Sequence, residues 1–425
     1  MPQASVALWA RSQCLPESKG TTVLPVGQGR SYGDCCLNPG GLVVATDHLD
    51  RYIEFDVAKG TLSCEAGTRL GNIIDITLPH GWFLPVVPGT QFVSLGGAIA
   101  NDVHGKNHHR AGTFGSQIIE LELLRSNGQR LLCSERENPE WFRATVAGLG
   151  LTGLITWAKI KLRPVQSAYV ETEDIAFATV EEFIALSQES DHDFEYTVAW
   201  FDSFSYRAGT LRGILSRARH VEKSDGSLVA RRPRSWISVP FDMPQRLLGP
   251  NVIRLFNQCY AYGKNRRVSR RIRMEALLFP LDMIRNWNRI YGRSGFMQLQ
   301  CVIPDTAGTN GVSDLLQVIA RGRQGSFLAV LKRFGAKASP GVLSFPMPGT
   351  TVALDFQNLG SPTDRLLQEC HKVVVGYGGR IYPAKDASMT SATFQAGFPA
   401  WRSLIPYIDP RFSSGLWRRV SSPAP

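Results

Sequence analysis

GGAIANDVHGKNHHRAGTFG, residues 96–115, sets three histidines, a lysine and an aspartate within eight residues, flanked by glycines and small side chains. Two imidazoles at i and i+4, His104 and His108, would share one face of a helix, but Gly105 and Asn107 are poor helix formers. Asp102 offers a carboxylate, yet no second cluster of conventional ligands stands elsewhere in the chain, so no metal centre is expected. Two readings remain. The segment is a surface loop of solvated histidines, or it turns His104 and Lys106 toward a cofactor or substrate.

The neighbouring loops bear on that choice. PVGQGRSYGD, residues 25–34, follows a strand-like run; Gly27, Gly29 and Gly33 leave main-chain amides free to approach a phosphate, and Arg30 adds charge. It is neither the GxGxxG of a βαβ unit nor a GK[ST] P-loop, and alone it reads first as a glycine-rich turn. PGTQFVSLGGAIANDVHG, residues 88–105, repeats the pattern with Gly89, Ser94, Gly96 and Gly97. Its small residues would let a flat ligand lie against main chain; a buried small-residue strand is the alternative. Two such loops within about 80 residues favour a ligand more than either does alone. GLGLTGLITWAKIKL, residues 148–162, feeds a strand from glycine turns.

The chain has 425 residues, 43% hydrophobic and 20% charged, enough for two or three folded domains and too apolar for disorder. Forty glycines and 25 prolines predict many turns. A formal charge of +11 favours acidic partners: nucleic acid, anionic headgroups or phosphorylated substrates. No interleaved aromatic platform or recognised motif supports nucleic acid, which is not expected as a partner. Eight scattered cysteines form no CxxC pair, and adjacent Cys35 and Cys36 are poorly placed for an ordinary bridge; reduced thiols in the cytoplasm are expected. No basic-then-apolar leader opens the chain and no apolar run nears the roughly 20 residues of a spanning helix, so membrane contact would be peripheral, at the inner face.

Residues 21–165 read as short strands with one helix at LGNIIDITLPHG and a hairpin turning at Asn127-Gly128. Residues 166–379 differ. VEEFIALSQES and SPTDRLLQECHKVVVGYGG read as helices, and FEYTVAWFDS, MQLQCVIP, SFLAVLKRFG and TTVALDFQN as strands. Between them, residues 211–273 carry fifteen Lys or Arg against Glu222, Asp225 and Asp242. GRIYPAKDASMT returns to a loop.

Together, GRSYGD, PGT followed by GGAIANDVHGKNHHRAGTFG, GLTGLI and GGRIYPAKD resemble the FAD-linked oxidases of the vanillyl-alcohol oxidase fold. PLDMIRNWNRIYG, FLAVLKRFG and LSFPMPG extend the likeness over about residues 21–400, toward the branch acting on polyprenyl-phosphate-linked pentoses. The resemblance implies an α+β chain. Residues 1–164 and the returning segment 380–425 would form an FAD-binding domain, and 165–379 a substrate domain built on an antiparallel sheet. Pro25, Val26, Gly27, Gln28, Gly29, Arg30, Ser31, Tyr32, Gly33, Asp34 and Cys35 would hold the diphosphate and the nearby ring edge. Gly89, Ser94, Leu95, Gly96, Gly97, Asn101, Asp102, Val103, His104 and Ile155 would line the rest of the FAD, with Tyr382 from the returning segment. His104 falls where many relatives bond the flavin covalently, whereas the branch resembled holds it noncovalently, which is expected here. Lys385, His104 and Lys106 match catalytic positions; Gln300, Lys332 and Lys385 match substrate positions.

The implied reaction is oxidation of a secondary sugar hydroxyl by hydride transfer to flavin N5, in cell-wall polysaccharide synthesis, with a short-chain reductase completing an epimerisation. A cation at Lys385 suits it, because negative charge develops on the flavin or the hydroxyl oxygen. The lipid-linked sugar phosphate gives the basic stretch a purpose: WISVPFDMPQRLLGPNVIRLFNQCY mixes apolar and basic residues as a surface-binding cover would. Ala353 and Thr351 stand where the resemblance carries cysteine and asparagine. Residues 4–14 would be a helix, the strand and arm ahead of it being absent from this sequence. The alternative function is oxidation of a soluble aldonolactone or alditol.

Overall fold

The computed structural model describes residues 4–8, 14–17, 20–222, 228, 237–244, 249–264 and 269–422. Four pieces of the basic stretch, 223–227, 229–236, 245–248 and 265–268, lie outside the described residues. Helices and sheets mix in an α+β arrangement. A small parallel sheet carries Leu42–Ala45 between Ser5–Leu8 and Val23–Val26. An antiparallel sheet follows in the order Tyr52–Asp56, Thr61–Glu65, Leu154–Lys161, Ile118–Leu124 and Arg130–Ser134. Its last two strands are the hairpin expected around Asn127-Gly128, with Gly128 at φ +85°.

The largest sheet has eight antiparallel strands. From one edge they run Arg270–Arg273, Tyr169–Thr179, Thr210–His220, Tyr196–Phe201, Ala329–Phe334, Gly349–Gln357, Phe296–Pro304 and Arg380–Ile381. Side chains alternate across a strand. Leu299, Cys301, Leu331, Val352 and Leu354 therefore enter one core with Phe183, Leu315, Leu316, Leu366 and Leu367 of three covering helices, Val180–Ser190, Gly308–Arg321 and Ser361–Gly376. Gln298, Gln300, Val330, Lys332, Ala353 and Asp355, on the opposite parity, line a cleft. Register aligns Gln300 with Ala353 and Ala353 with Val330, which pairs with Trp200.

One expectation holds: His104 to Asn107 form no helix, and the helical turn His108–Ala111 begins only after Gly105 and Asn107. Two local expectations change. Residues 5–8 are a strand, because they pair in parallel with Leu42–Ala45 rather than coil before the first loop. The small-residue run Leu95–Ala100 is a short helix, capped by Ser94, whose Oγ accepts from the Gly97 N–H at 3.3 Å. Tertiary contacts override weak helix propensity here.

The C-terminal helix Gly415–Ser421 closes the site from behind. Arg419 grips Asp34 with Nε at 3.0 Å and Nη2 at 2.6 Å, and Nη2 also reaches Asp386 at 3.0 Å. Asp386 is buried and accepts from the main-chain N–H of Ser388 and Met389. One guanidinium thus ties the first glycine loop to the turn that carries Lys385. Arg419→Ala strands the buried Asp386 charge. A fully buried broken pair costs about 3–5 kcal/mol, and Arg419 keeps some solvent contact, so a loss of about 2–3 kcal/mol is expected. Urea unfolding measures it; an unchanged midpoint would remove this tie.

Candidate active site

A cleft of about 1410 Å³ separates the two glycine loops from the polar face of the large sheet. Residues Pro25 through Tyr32 and Cys35 line one wall, with Gly89, Ser94, Gly96, Gly97, Asn101, Val103, His104, Ile155 and Tyr382. Gln300, Lys332 and Lys385 line the other, and Lys106 joins them. A Cβ added at Gly29 or Gly89 would meet no atom within 4 Å, so main chain there faces open space.

Four expected residues do not line the cleft. Gly33 is a packing glycine: at φ +81° its Cβ would lie 1.8 Å from the Asp386 carbonyl oxygen. Asp34 is spent on Arg419. Leu95 points into the apolar core beneath the helix it starts. Asp102, fully buried at φ +41°, clamps its own turn by accepting from Gly115 N–H at 2.8 Å, Ser339 Oγ at 2.5 Å and Ser344 Oγ at 2.6 Å.

His104 sits where loop and sheet meet. The Gln300 amide nitrogen lies 2.9 Å from its Nε2, and its Nδ1 is sealed without a partner. Phe334, Phe345 and Tyr382 ring it, with centroids 4.8, 5.5 and 5.2 Å away. Burial, then Lys332, the neighbouring His108 and Lys385, push its pKa well below the usual imidazole range, so it stays neutral. The Tyr382 hydroxyl donates to the Asn101 carbonyl at 3.1 Å.

Three lysines meet in the same cleft. Burial draws Lys332 down to about 7, with Lys106 and Lys385 adding repulsion. Burial likewise draws Lys106 down to about 8, and its Nζ donates to the Leu278 carbonyl at 3.1 Å. Lys385 falls to about 8 through burial, opposed by the attraction of Asp355. Its Nζ stands 3.5 Å from the centroid of the Tyr32 ring, which packs edge-on against Phe296. Asp355, hydrogen-bonded by Gln298, is raised to about 7, chiefly by burial. These groups hold and release protons near neutrality and offer a polyhydroxylated ligand donors and acceptors in a dry setting.

Sequence reasoning missed Asp355, Gln298 and Arg419. Asp355 carried a signal: one carboxylate inside the apolar strand TTVALDF. Gln298 shares the parity of Gln300. Arg419 carried none. Among the described residues, no group of three or more His, Cys, Asp or Glu could hold a metal ion.

Comparison with known proteins agrees with this geometry. The family profile described as an FAD binding domain matches residues 11–134. Decaprenylphosphoryl-beta-D-ribose oxidase of Mycolicibacterium smegmatis is 35% identical over 426 residues, covering 95% of this chain and 90% of that protein. An uncharacterized protein of Streptomyces coelicolor is 30% identical over 374 residues, covering 83% of this chain and 99% of that one. D-arabinono-1,4-lactone oxidase of Candida glabrata matches at 26% over 201 residues, 46% of this chain and 37% of that enzyme. The residues present fit an FAD: the open main chain at Gly29 and Gly89 suits a diphosphate, and the cleft exceeds the roughly 300–1,000 Å³ of an ordinary ligand site. The chain therefore belongs to the FAD-linked oxidases of the vanillyl-alcohol oxidase fold, in the family of decaprenylphosphoryl-β-D-ribose oxidase, and is an FAD-dependent oxidoreductase acting on a hydroxyl group.

Proposed function

We propose that this protein oxidises the 2′-hydroxyl of a pentose carried on a polyprenyl phosphate, the first half of an epimerisation in cell-wall polysaccharide synthesis that a short-chain reductase completes. One observation carries the reading: the half-buried amines of Lys106, Lys332 and Lys385 face a cleft that Trp200, Tyr260, Arg270 and Arg285 also line. Residues 165–379 act as the substrate domain, and 1–164 with 380–425 as the cofactor domain. The likeness to the mycobacterial oxidase, which spans both, supports that division.

Bound FAD supplies the acceptor for the hydride that leaves the sugar carbon. Pro25 to Tyr32 and Cys35 hold it with Gly89, Ser94, Gly96 and Gly97; Asn101, Val103, His104, Ile155 and Tyr382 complete that wall. Its hold is noncovalent, since Gln300 engages Nε2 of His104 and Nδ1 is sealed. Lys385 Nζ binds the hydroxyl and, when neutral, takes its proton. Asp355 lies in that amine's field, and the coupled pair shares the charge. Gln300 and Lys332 orient the sugar, and Lys106 fixes the floor through Leu278. Ala353, on the same row as Gln300, leaves room for the ring.

The helix Pro250–Lys264 supports a lipid-linked substrate. Its inner side holds Asn257, fully buried, which donates to Asp202 at 2.8 Å. Its outer side exposes Val252, Leu255, Phe256 and Tyr262. An apolar stripe within a basic stretch suits docking on an anionic leaflet at the inner face of the membrane. Among the described residues no helix is long and apolar enough to cross a membrane.

Four outcomes are expected. In anaerobic mixing, a polyprenyl-phosphoryl ribose bleaches the flavin absorbance of the holoenzyme while arabinono-lactone leaves it; equal bleaching by the lactone would favour the soluble-sugar reading. Turnover rises from pH 6 through a midpoint near 8, because Lys385 is neutral only above its lowered pKa of about 8 and Asp355 sheds its proton in the same direction. Lys385→Met lowers turnover about 100-fold and flattens that rise; native turnover in this variant would remove the role. Val252→Asp with Leu255→Asp abolishes cosedimentation with anionic vesicles, and undiminished sedimentation would exclude the helix as the contact.

A further inference from the structure

Cys35 and Cys36 are the one pair of adjacent thiols in the chain, and both line the cofactor cleft. Both are free. Cys35 is buried at 6% exposure, while Cys36 is half-buried. The mutual influence of their side chains lowers the Cys36 pKa and raises that of Cys35. The Cys36 thiol also points at the Ser31 carbonyl, at 3.9 Å. This layout suits a peroxide-sensitive thiol with a resolving partner: one half-buried sulfur at the cleft and a second thiol on the neighbouring residue. The other buried cysteines lack it. Burial raises the pKa of Cys64, Cys133, Cys301 and Cys370.

We propose that Cys35 and Cys36 form a redox-active dithiol in the wall of the cofactor cleft, which a hydroperoxide converts to an intraloop disulfide that thiols reverse. The Cys36 thiolate attacks one peroxide oxygen; the O–O bond breaks, an alcohol or water leaves, and Cys36 becomes a sulfenic acid. The Cys35 sulfur then attacks the Cys36 sulfur; the S–S bond forms, the S–O bond breaks, and water departs with the Cys35 proton. The two thiols lose two electrons, which the peroxide gains. Neighbouring Cα atoms across a trans peptide stand about 3.8 Å apart, short of the roughly 4.4–6.8 Å of a relaxed bridge. The ring is therefore strained and readily reduced, which suits a switch rather than a staple.

The loop translates the bond into an effect on the cofactor. Closing the ring draws the Cys36 sulfur off Ser31 and twists the turn held by Leu37 N–H to Asp34 oxygen, at 3.2 Å. Tyr32, whose main chain donates to the Ala384 carbonyl at 2.9 Å and whose ring lies under Lys385, sits three residues upstream. Oxidation thus loosens the wall against which FAD rests.

The test uses holoenzyme carrying Cys14→Ser and Cys259→Ser, which removes the two exposed thiols. After hydrogen peroxide, the peptide spanning residues 31–37 should be lighter by two hydrogens, return to its starting mass with dithiothreitol, and flavin should leave the protein about tenfold faster meanwhile. Phenylarsine oxide, which bridges neighbouring thiols, should block that mass change beforehand. Cys36→Ser should leave Cys35 unoxidised; if that variant does not fold, the arsenical measurement stands in its place. Oxygen added to Cys36 with Cys35 still free, or a mass change that the arsenical does not block, would overturn the proposal. Peptide mass is read without substrate, so it stands apart from the assignment of the sugar.

Discussion

Desolvation of amines is the constraint around which this molecule is arranged. Lys106, Lys332 and Lys385 are each half-buried in the cleft wall, and a desolvated ammonium is costly unless its charge is offset or its proton is shed. The eight-stranded sheet makes that burial tolerable. Its alternation sends Leu331 and Val352 into a packed core while Lys332, Gln300 and Asp355 face the cleft. A rigid core on one face fixes the strands that present Gln300, Lys332 and Asp355 to the cleft on the other. Asp355 beside Lys385 and Asp282 near Lys106 offset only part of the desolvation, so the amines hold their protons loosely, which is the property a hydroxyl oxidation requires.

The rest of the fold serves to close that face. The two glycine loops supply the opposing wall, and their positions depend on groups that never touch the cleft: Asp102 clamping its turn to Ser339 and Ser344, and Arg419 joining Asp34 to Asp386. Lys385 belongs to both systems. Its turn is anchored from behind by Asp386, while its amine lies over Tyr32 of the first loop. Cofactor wall and proton-handling group are therefore one mechanical unit, and a bond formed at Cys35 and Cys36 acts directly on it.

Much of this was legible in the chain. The period-two runs at Phe296–Pro304, Ala329–Phe334 and Gly349–Gln357 announce strands, and the hairpin at Asn127-Gly128 and the helix Val180–Ser190 fall where turn chemistry and periodicity put them. Gln300, Lys332 and Lys385 were named from motifs and lie together. Asp102 and Asp34, read as cofactor residues, illustrate the limit: a carboxylate beside a glycine loop looks the same in sequence whether it faces a ligand or locks the backbone behind it. Strand Ser5–Leu8 was misread because its reason to be extended is a partner, Leu42–Ala45, that lies 37 positions away in the register.

The sequence by itself determined the local chemistry. Glycines at 29 and 89 that admit a close ligand and strand alternation that separates core from cleft are properties of short stretches. Only the tertiary structure decided which of those groups share a space. Lys106, Lys332 and Lys385 come from three distant segments, and their pKa values fall because folding excludes water from the place where they meet. Burial and charge proximity are properties of the assembled volume, and no window of the sequence contains them.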